Sequence, residues 1–198
     1  MNIGIIGAGG IGQAFAAHAA KAGYEMILSN SRGPETLADV VSEIGPNAKA
    51  GTREEAAAAD VVFLSVYWPQ VPGALAGLLP WDGRILIDAT NAVGPGFTPR
   101  DLGGKFSTEV VASQARGARV VKAVNTLPRA VLAADPRVAG GRRVLFMSGD
   151  DAQAKHIVGE ILERCGFATI DLGGLASGST LQQFPGGALP TLNLVKLG

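Results

Sequence analysis

The sequence is poor in the features that several classes of protein require. Its 198 residues include a single cysteine, Cys165, so no internal disulfide framework is possible. Lys and Arg together number 17, as do Asp and Glu, so the net charge is +0 and the basic excess of a nucleic-acid-binding protein is missing. No run reaches the roughly 18 apolar residues of a membrane span, and the N-terminus has no basic signal segment. We therefore expect a cytoplasmic protein that binds neither nucleic acid nor membrane.

Groups of catalytic or metal-ligating residues are also missing. The two histidines, His18 and His156, lie in separate helical segments, where we interpret them as ordinary packing or surface residues. The sequence contains no HExxH, no CxxC and no close Ser/His/Asp group. We expect no metal site and no hydrolytic triad.

Short β-branched runs recur along the chain and are almost continuously apolar, which is typical of strands buried on both faces of a parallel sheet. They predict strands at Asn2–Gly7, Glu25–Ser29, Val61–Val66, Arg84–Asp88, Arg119–Val124, Arg142–Gly149 and Ala168–Leu172. Alanine-rich or amphipathic segments between them predict helices at Ile11–Ala22, Pro34–Ile44, Arg53–Ala59, Val71–Leu79, Thr108–Arg116 and Asp151–Cys165. The alternation predicts an α/β fold of the Rossmann type, with a doubly wound, mostly parallel sheet.

The length favours one domain over residues 1–198. From Gly173 onward the chain becomes rich in Gly, Ser and Pro before a short apolar segment, Leu189–Leu197. This stretch is too short to fold alone. We predict that residues 173–198 form a C-terminal tail that covers the ligand crevice.

A glycine-rich string, Gly7-Ala8-Gly9-Gly10-Ile11-Gly12, follows the first predicted strand and opens the first predicted helix. In this GxGxxG pattern Gly7 permits a tight turn, Gly9 lets the backbone approach a pyrophosphate, and Gly12 lets the helix pack on the strand. The diphosphate then rests on the N-terminus of the helix. The string predicts a dinucleotide site, and the alternative is a glycine turn that serves packing only.

The end of the second strand indicates which dinucleotide binds. An NAD site places Asp or Glu there, whereas this sequence has Ser29-Asn30-Ser31-Arg32 and no acid before Glu35. A hydroxyl at Ser31 and a planar fork of donors at Arg32 suit a 2′-phosphate dianion. We predict NADP as the cofactor, and the alternative for Arg32 is a solvated loop cation.

Three further strand ends are expected to line the crevice, because ligands of open α/β sheets bind outside the carboxyl ends of the strands. They are the segments Val62–Pro69, Asp88–Asn91 and Val124–Pro128. As an alternative to lining the crevice, the aromatic residues Tyr67 and Trp68 could pack against the following helix. The two asparagines, Asn91 and Asn125, could instead form turns. We expect only neutral groups to face the ligand at these ends.

Several of these stretches resemble one family, the NADP oxidoreductases that depend on coenzyme F420; the cytoplasmic domains of the STEAP ferric reductases are similar. The resemblance spans Met1 to about Leu175. It rests on Ile3–Gly12, Ser29–Glu35, Ile87–Asn91, Val121–Thr126, Ser148–Asp151 and Asp171–Leu175. It implies hydride transfer between NADP(H) and a deazaflavin. Asn125 departs from the family, whose F420-using members tend to carry His at this position.

The resemblance also implies a set of site residues. It assigns the pyrophosphate to the backbone of Gly9, Gly10 and Ile11, and the 2′-phosphate to Ser31 and Arg32. It assigns the nicotinamide region to Ser65, Val66, Asn91, Val124 and Asn125. Together with the residue patterns above, the predicted cofactor-binding set is Gly7, Gly9, Gly10, Ile11, Gly12, Ser29, Asn30, Ser31, Arg32, Ser65, Val66, Tyr67, Asn91, Val124 and Asn125.

Three functions are open at this point. The first is an NADPH-dependent reductase of a flavin-like acceptor, such as coenzyme F420, FMN or FAD, which needs orientation more than a protein acid. The second is a reductase of a small carbonyl or imine compound, and the third is a non-catalytic NADP-binding sensor. For the first we predict Asn125 as the catalytic residue, which orients the nicotinamide or the acceptor without moving a proton.

The apolar residues of the tail predict assembly. They are Phe184, Leu189, Leu192, Leu194 and Val195. An apolar patch that the chain itself does not cover commonly forms an interface with a partner. We predict a homodimer whose other ligand is a small-molecule redox acceptor.

Overall fold

Strands and helices alternate in the computed structural model, which describes residues 1–198. The first half contains β1 (Asn2–Ile6), α1 (Gly10–Lys21), β2 (Glu25–Ser29), α2 (Ala38–Ile44), β3 (Ala48–Ala50), α3 (Arg53–Ala57), β4 (Val61–Leu64), α4 (Val71–Leu75) and β5 (Ile85–Asp88). The second half contains α5 (Ser107–Gln114), β6 (Arg119–Ala123), α6 (Arg129–Ala133), β7 (Arg137–Val138), β8 (Gly141–Gly149), α7 (Ala152–Arg164), β9 (Ala168–Asp171), α8 (Leu175–Gln182) and β10 (Val195–Leu197). Short 3-10 turns occupy Pro34–Leu37, Trp68–Gln70 and Pro95–Phe97.

The strands form one mostly parallel sheet, as predicted. Its order is β3-β2-β1-β4-β5-β6-β8, and the pairs from β3 to β6 are all parallel. β8 runs antiparallel to β6, pairs in parallel with β9, and pairs through its first residues with β7 and β10. The strand order reverses between β1 and β4, which is the switch point where open α/β sheets bind ligands.

Helices cover both faces of the sheet, so the strands are apolar on both sides. On β4, for example, Val61 and Phe63 belong to the core under α1 and α7, whereas Val62 and Leu64 belong to the core under α4 and α5. The rings of Phe15 and Phe63 stack with centroids 4.2 Å apart. The buried strands explain why the sequence shows continuous apolar runs.

Each predicted strand and helix is present, with ends that differ by a few residues, but five short elements were not predicted. They are β3, α6, β7, α8 and β10. Four of them have two to five residues, too few to show a hydrophobic period. The fifth, α8, has Ser, Gly and Thr in its interior, which are weak helix formers, and it is held by packing on β8.

The segment 173–198 packs against the chain's own sheet. α8 lies on β8 and β6, and β10 extends the sheet by pairing with Gly141 to Arg143 of β8. Between them, the Thr191 amide donates to the Thr126 carbonyl at the end of β6, 2.7 Å away. The tail therefore borders the carboxyl end of β6. None of the helices combines the length and hydrophobicity of a membrane-spanning helix.

Candidate dinucleotide site

The predicted glycine turn lies at the carboxyl end of β1, next to the switch point. The amides of Gly7 and Ala8 both donate to the Ser29 carbonyl of β2, at 3.1 and 2.9 Å. Gly7 has a φ of 101°, which favours glycine, and a methyl group there would lie 2.7 Å from Cγ1 of Val66. A methyl group at Gly12 would overlap the Gly7 carbonyl. Gly7 and Gly12 are therefore required by packing.

Gly9 differs from these two glycines, because nothing lies within 4 Å of a methyl group placed on it. It precedes α1, whose first turn has no capping side chain and no acidic residue. The N-terminus of α1 thus presents backbone donors and the positive end of a helix dipole to an open space. This is the arrangement that a pyrophosphate requires, and residues Gly9 to Ile11 fit it.

At the end of β2, Ser29 differs from its prediction as a cofactor ligand. Its hydroxyl is buried and donates to the Ile5 carbonyl at 2.8 Å, so it ties β2 to β1. Asn30 shapes the following loop: its amide donates to Oγ1 of Thr36 at 2.9 Å, and its Oδ1 accepts from the Arg32 amide at 2.8 Å. Both residues support the loop from within.

Ser31 and Arg32 lie at the tip of this loop and are exposed. None of the six ion pairs of the chain includes Arg32. A hydroxyl and an unpaired guanidinium stand side by side where an NAD site carries an acid. Their chemistry fits a phosphate dianion.

The end of β4 contributes groups that differ in exposure. Ser65 and Val66 are half-buried and border Gly7, whereas Tyr67 is 81% exposed. Trp68 packs on the core under α4 and α5, so its packing alternative holds. Tyr67 does not pack in this way, and its ring is free to contact a ligand.

Asn91 and Asn125 are paired with each other across the ends of β5 and β6. Nδ2 of Asn125 donates to Oδ1 of Asn91 at 2.9 Å and to the Gln182 carbonyl at 2.8 Å, while Oδ1 of Asn125 accepts from Nε2 of Gln182 at 3.2 Å. Nδ2 of Asn91 donates to the Asn125 carbonyl at 2.9 Å. Both side-chain amide hydrogens of Asn125 are therefore used within the chain, whereas Asn91 donates only one of its two.

Gln182 of α8 connects these asparagines to the rest of the sheet. It is fully buried; its Oε1 accepts from the Ser148 hydroxyl at 2.7 Å, and its Nε2 lies 3.2 Å from the Phe146 carbonyl. The tail therefore fixes the amide of Asn125. Sequence reasoning missed Gln182, because a glutamine in a Gly/Ser-rich stretch gives no periodic or spacing signal.

Val124 has an unusual backbone conformation. Its φ is 64°, a genuine outlier for a β-branched residue, and its side chain is buried. Such strain persists only where the surroundings enforce it, and it clusters at ligand sites. It turns the chain sharply between β6 and Asn125.

A buried ion pair, which the sequence analysis did not predict, lies beneath these strand ends. Nζ of Lys122 is 3.1 Å from Oδ2 of Asp88 and donates to the Thr90 carbonyl at 2.9 Å. Oδ1 of Asp88 accepts from the amide and the hydroxyl of Thr90, at 2.9 and 2.6 Å. Both charged side chains are at most 1% exposed, so the pair cannot contact a ligand directly.

Arg129 is the second residue that sequence reasoning missed. It opens α6, and a methyl group at Gly10 would lie 2.5 Å from its Cδ and 2.8 Å from its Nε. A separation of 119 residues hides this proximity from any local pattern.

The remaining titratable candidates lie elsewhere. Nε2 of His18 bonds the Leu132 carbonyl at 2.8 Å, and His156 faces Glu160 on the exposed side of α7. Burial raises the pKa of the Cys165 thiol to about 12, although the Arg164 cation opposes the shift. No group of three or more His, Cys, Asp or Glu is arranged for a metal.

One cavity of about 470 Å³ lies between β7 and the end of β10. Its lining includes Arg137, Arg142 and Lys196 but none of the predicted site residues. The predicted dinucleotide surface is therefore separate from this cavity.

Comparison with known proteins finds similar chains. The hypothetical protein SMa0349 from Sinorhizobium meliloti is 46% identical, and its crystal structure superposes with a TM-score of 0.94 over 99% of this chain and 96% of that one. A structure from Arthrobacter sp. FB24, assigned as an F420-dependent NADP reductase, is 26% identical, with a TM-score of 0.71 over 90% and 87% of the two chains.

The curated relatives are longer than this chain. Metalloreductase STEAP3 from Rattus norvegicus is 29% identical over 96% of this chain and 37% of its own length. The chain thus spans little more than a third of that relative. Residues 2–92, from β1 to just beyond β5, match the family model described as NADP oxidoreductase coenzyme F420-dependent. That match covers the glycine turn and the β2 loop, so this segment of the chain is similar to the coenzyme F420-dependent NADP oxidoreductases.

Proposed function

We propose that the protein is an NADPH-dependent oxidoreductase that transfers a hydride between NADP(H) and a flavin-like acceptor, such as coenzyme F420 or FMN/FAD. One observation carries the cofactor assignment. The exposed, unpaired Ser31 and Arg32 lie on the same sheet edge as the uncapped N-terminus of α1. A ligand that has both a pyrophosphate and a 2′-phosphate matches both sites.

The residues divide the cofactor among them. The backbone of Gly9, Gly10 and Ile11 holds the pyrophosphate, and Ser31 with Arg32 holds the 2′-phosphate. Ser65, Val66, Asn91 and the strained Val124 border the nicotinamide region, with Tyr67 beside them. NADPH, when bound, supplies the hydride, and the chain holds it in place.

Exposed aromatic rings support a planar acceptor. Tyr67 at the end of β4 is 81% exposed, and Phe97, in the connection after β5, is 72% exposed. Phe97 meets Phe184 of the tail edge to face, with ring centroids 6.1 Å apart. Exposed aromatic faces suit a flat conjugated ring. The tail residue Phe184 supports the proposal that residues 173–198 border the acceptor.

The chain orients the reactants and moves no proton in this proposal. The groups that reach the crevice are the hydroxyl of Ser65, the phenol of Tyr67 and the amide of Asn91, which are neutral near pH 7. The charged pair Asp88–Lys122 is sealed below them. Asn125 positions Asn91 through their reciprocal hydrogen bonds.

The test is NADPH oxidation, followed by absorbance, with coenzyme F420, FMN, FAD and riboflavin as separate acceptors. We expect at least one of these flavin-type rings to be reduced, and NADPH to be preferred over NADH. Turnover of small carbonyl or imine compounds without turnover of any flavin would overturn the acceptor class. Tight NADPH binding with no turnover of either class would indicate a sensor.

Assembly as a homodimer is part of the proposal. Of the predicted tail patch, Leu192 and Leu194 remain 39% and 42% exposed, while Phe184, Leu189 and Val195 are partly buried against the chain itself. Leu192 and Leu194 lie just before β10, which is at a sheet edge. Light scattering at micromolar concentration tests it, and a monomer would contradict it. The lone thiol, Cys165, accords with a cytoplasmic setting.

A further inference from the structure

The side chain of Arg129 lies against the first residue of α1. Pro128 precedes it and forms the N-cap of α6, so the chain that leaves β6 delivers Arg129 directly to the glycine turn. Cδ and Nε of Arg129 occupy the place where a side chain at Gly10 would go, 2.5 and 2.8 Å from its Cβ position. Gly10 is therefore needed to admit the arginine. The bond from His18 to the Leu132 carbonyl, 2.8 Å long, holds α1 and α6 together beside this contact.

The guanidinium of Arg129 has no counter-charge in the chain. The residue is exposed, and none of the six ion pairs includes it. The first turn of α1 beside it contains no acid. A free cation and the positive end of a twelve-residue helix thus face the same open space above Gly9. Two positive groups held this close repel each other unless an anion lies between them.

We infer that Arg129 is a second cationic contact to the cofactor and that it binds the pyrophosphate. The inference rests on the proposed function. The N-terminus of α1 is where the diphosphate rests, while the 2′-phosphate belongs to Ser31 and Arg32 after β2. Arg32 distinguishes NADP from NAD, whereas Arg129 binds the part that the two cofactors share. A planar guanidinium fork matches two phosphate oxygens.

Two cofactor fragments separate the two arginines. Adenosine 2′-monophosphate carries only the 2′-phosphate, and ADP-ribose carries only the pyrophosphate. Dissociation constants are measured by calorimetry for each fragment and for NADPH and NADH. We expect Arg129→Gln to weaken ADP-ribose, NADPH and NADH about tenfold, the low end for one charge-assisted contact, and to leave the 2′-monophosphate unchanged. Arg32→Gln is expected to give the opposite pattern for the two fragments.

The matched control is Arg116→Gln. Arg116 is exposed, has no ion pair, and precedes β6, at the opposite end of that strand from Asn125. The Arg116→Gln substitution removes the same charge far from the site, so we expect the dissociation constants of both fragments to stay unchanged. A second pair of variants tests the contact itself. Gly10→Ala should displace the arginine and so weaken the binding of ADP-ribose to the otherwise wild-type protein. In the Arg129→Ala background it should have little further effect on that binding.

The outcomes distinguish this inference from the proposed function. If the wild-type chain binds ADP-ribose and NADPH but Arg129→Gln binds them as tightly, the inference fails and the proposed function stands. If Arg129→Gln weakens both fragments equally, or raises only the KM of the acceptor, Arg129 does not contact the pyrophosphate. A wild-type chain that binds none of these ligands overturns the proposed function itself.

Discussion

The two halves of the candidate site handle polar groups in opposite ways. Around the glycine turn and the β2 loop, the donors are exposed and unpaired: the backbone at Gly9, the guanidinium of Arg32 and that of Arg129. Beneath the ends of β5 and β6, two sets of polar groups are buried and paired: Asp88 with Lys122, and Asn125 with Gln182.

This difference indicates that the exposed region binds the ligand and that the buried region holds the ligand-binding residues in position. Donors that are left unpaired near water can take up a ligand at little cost in desolvation. Buried groups that have all their partners cannot bind anything further, but they lock the backbone that carries the ligand contacts. Changes in the first region should therefore alter affinity, whereas changes in the second should alter stability or turnover.

The largest expected effect is on stability, from Lys122→Met. Removing the cation leaves the Asp88 carboxylate buried without its charge partner, which costs about 3–5 kcal/mol of unfolding free energy. Urea unfolding measures it. Lys105→Met, at an exposed position, is the control and should change little. If the folded Lys122→Met protein loses NADPH affinity as strongly as it loses stability, the division between the two regions is wrong.

The next effect is on affinity, from Arg32→Ala. A charge-assisted contact to phosphate contributes about 1.5–3 kcal/mol, so NADPH should bind roughly ten- to a hundredfold more weakly. NADH lacks the 2′-phosphate and should bind almost unchanged. Fluorescence titration with both cofactors measures the split. Equal losses for NADPH and NADH would contradict the role of Arg32.

The third effect is on turnover, from Asn125→Ala and Gln182→Ala. Asn125→Ala removes the hydrogen bond that holds Asn91, and Gln182→Ala removes one that holds Asn125. The resulting misplacement of the reactants should lower kcat roughly ten- to a hundredfold. The dissociation constant for NADPH should change little, and the shape of the pH–rate profile should stay the same, because neither amide moves a proton. The double variant should lose much less than the two single losses combined, since both act through one network.

A parent enzyme whose rate titrates sharply through a histidine would oppose this view. A limb of the profile that disappears on replacing His18 or His156 would reveal a proton carrier outside the crevice.

The smallest effect is the alkaline loss of stability through Cys165. Burial raises the pKa of its thiol from 9.0 to about 12, so at pH values between these two the unfolded chain releases a proton that the folded chain keeps. Below the lower value the thiol is protonated in both states and has no effect. Unfolding free energy should fall on the order of 1 kcal/mol by about pH 10. Urea midpoints near neutral and alkaline pH test it.

Cys165→Ala is the control for this prediction, and it should flatten the alkaline dependence. Some alkaline dependence should remain in this variant because of Tyr24. Burial also raises the pKa of the Tyr24 phenol, although the Arg164 cation opposes this shift. Midpoints that fall equally in wild type and in Cys165→Ala would show that another group is responsible.

The sequence predicts the exposed region of the site better than the buried one. The glycine turn shows as a local sequence pattern, because Gly7, Gly9 and Gly12 are close in sequence and together form the backbone of the turn. The loop at Ser31 and Arg32 follows directly from the strand before it. Local chemistry decides both, so their place in the fold follows from the order of residues.

The buried region depends on contacts between distant residues. Asp88 and Lys122 lie in strands whose apolar neighbours hide them, and only the pairing of β5 with β6 brings them together. Arg129 meets Gly10, and Gln182 meets Asn125, across separations that carry no sequence pattern. The partners of the Asn125 amide likewise come from another part of the chain, so the sequence alone does not show that its amide hydrogens are already used.

The long reach of the Gln182 contact has a consequence for synthesis on the ribosome. The Gly7 amide bonds the Ser29 carbonyl of β2, and at usual translation rates those 22 residues take about 1–4 s to appear. Asn125 bonds a residue 57 positions later and must wait about 3–11 s for its partner. During synthesis, the hydrogen bonds of the glycine turn can therefore form before those that hold the side chain of Asn125.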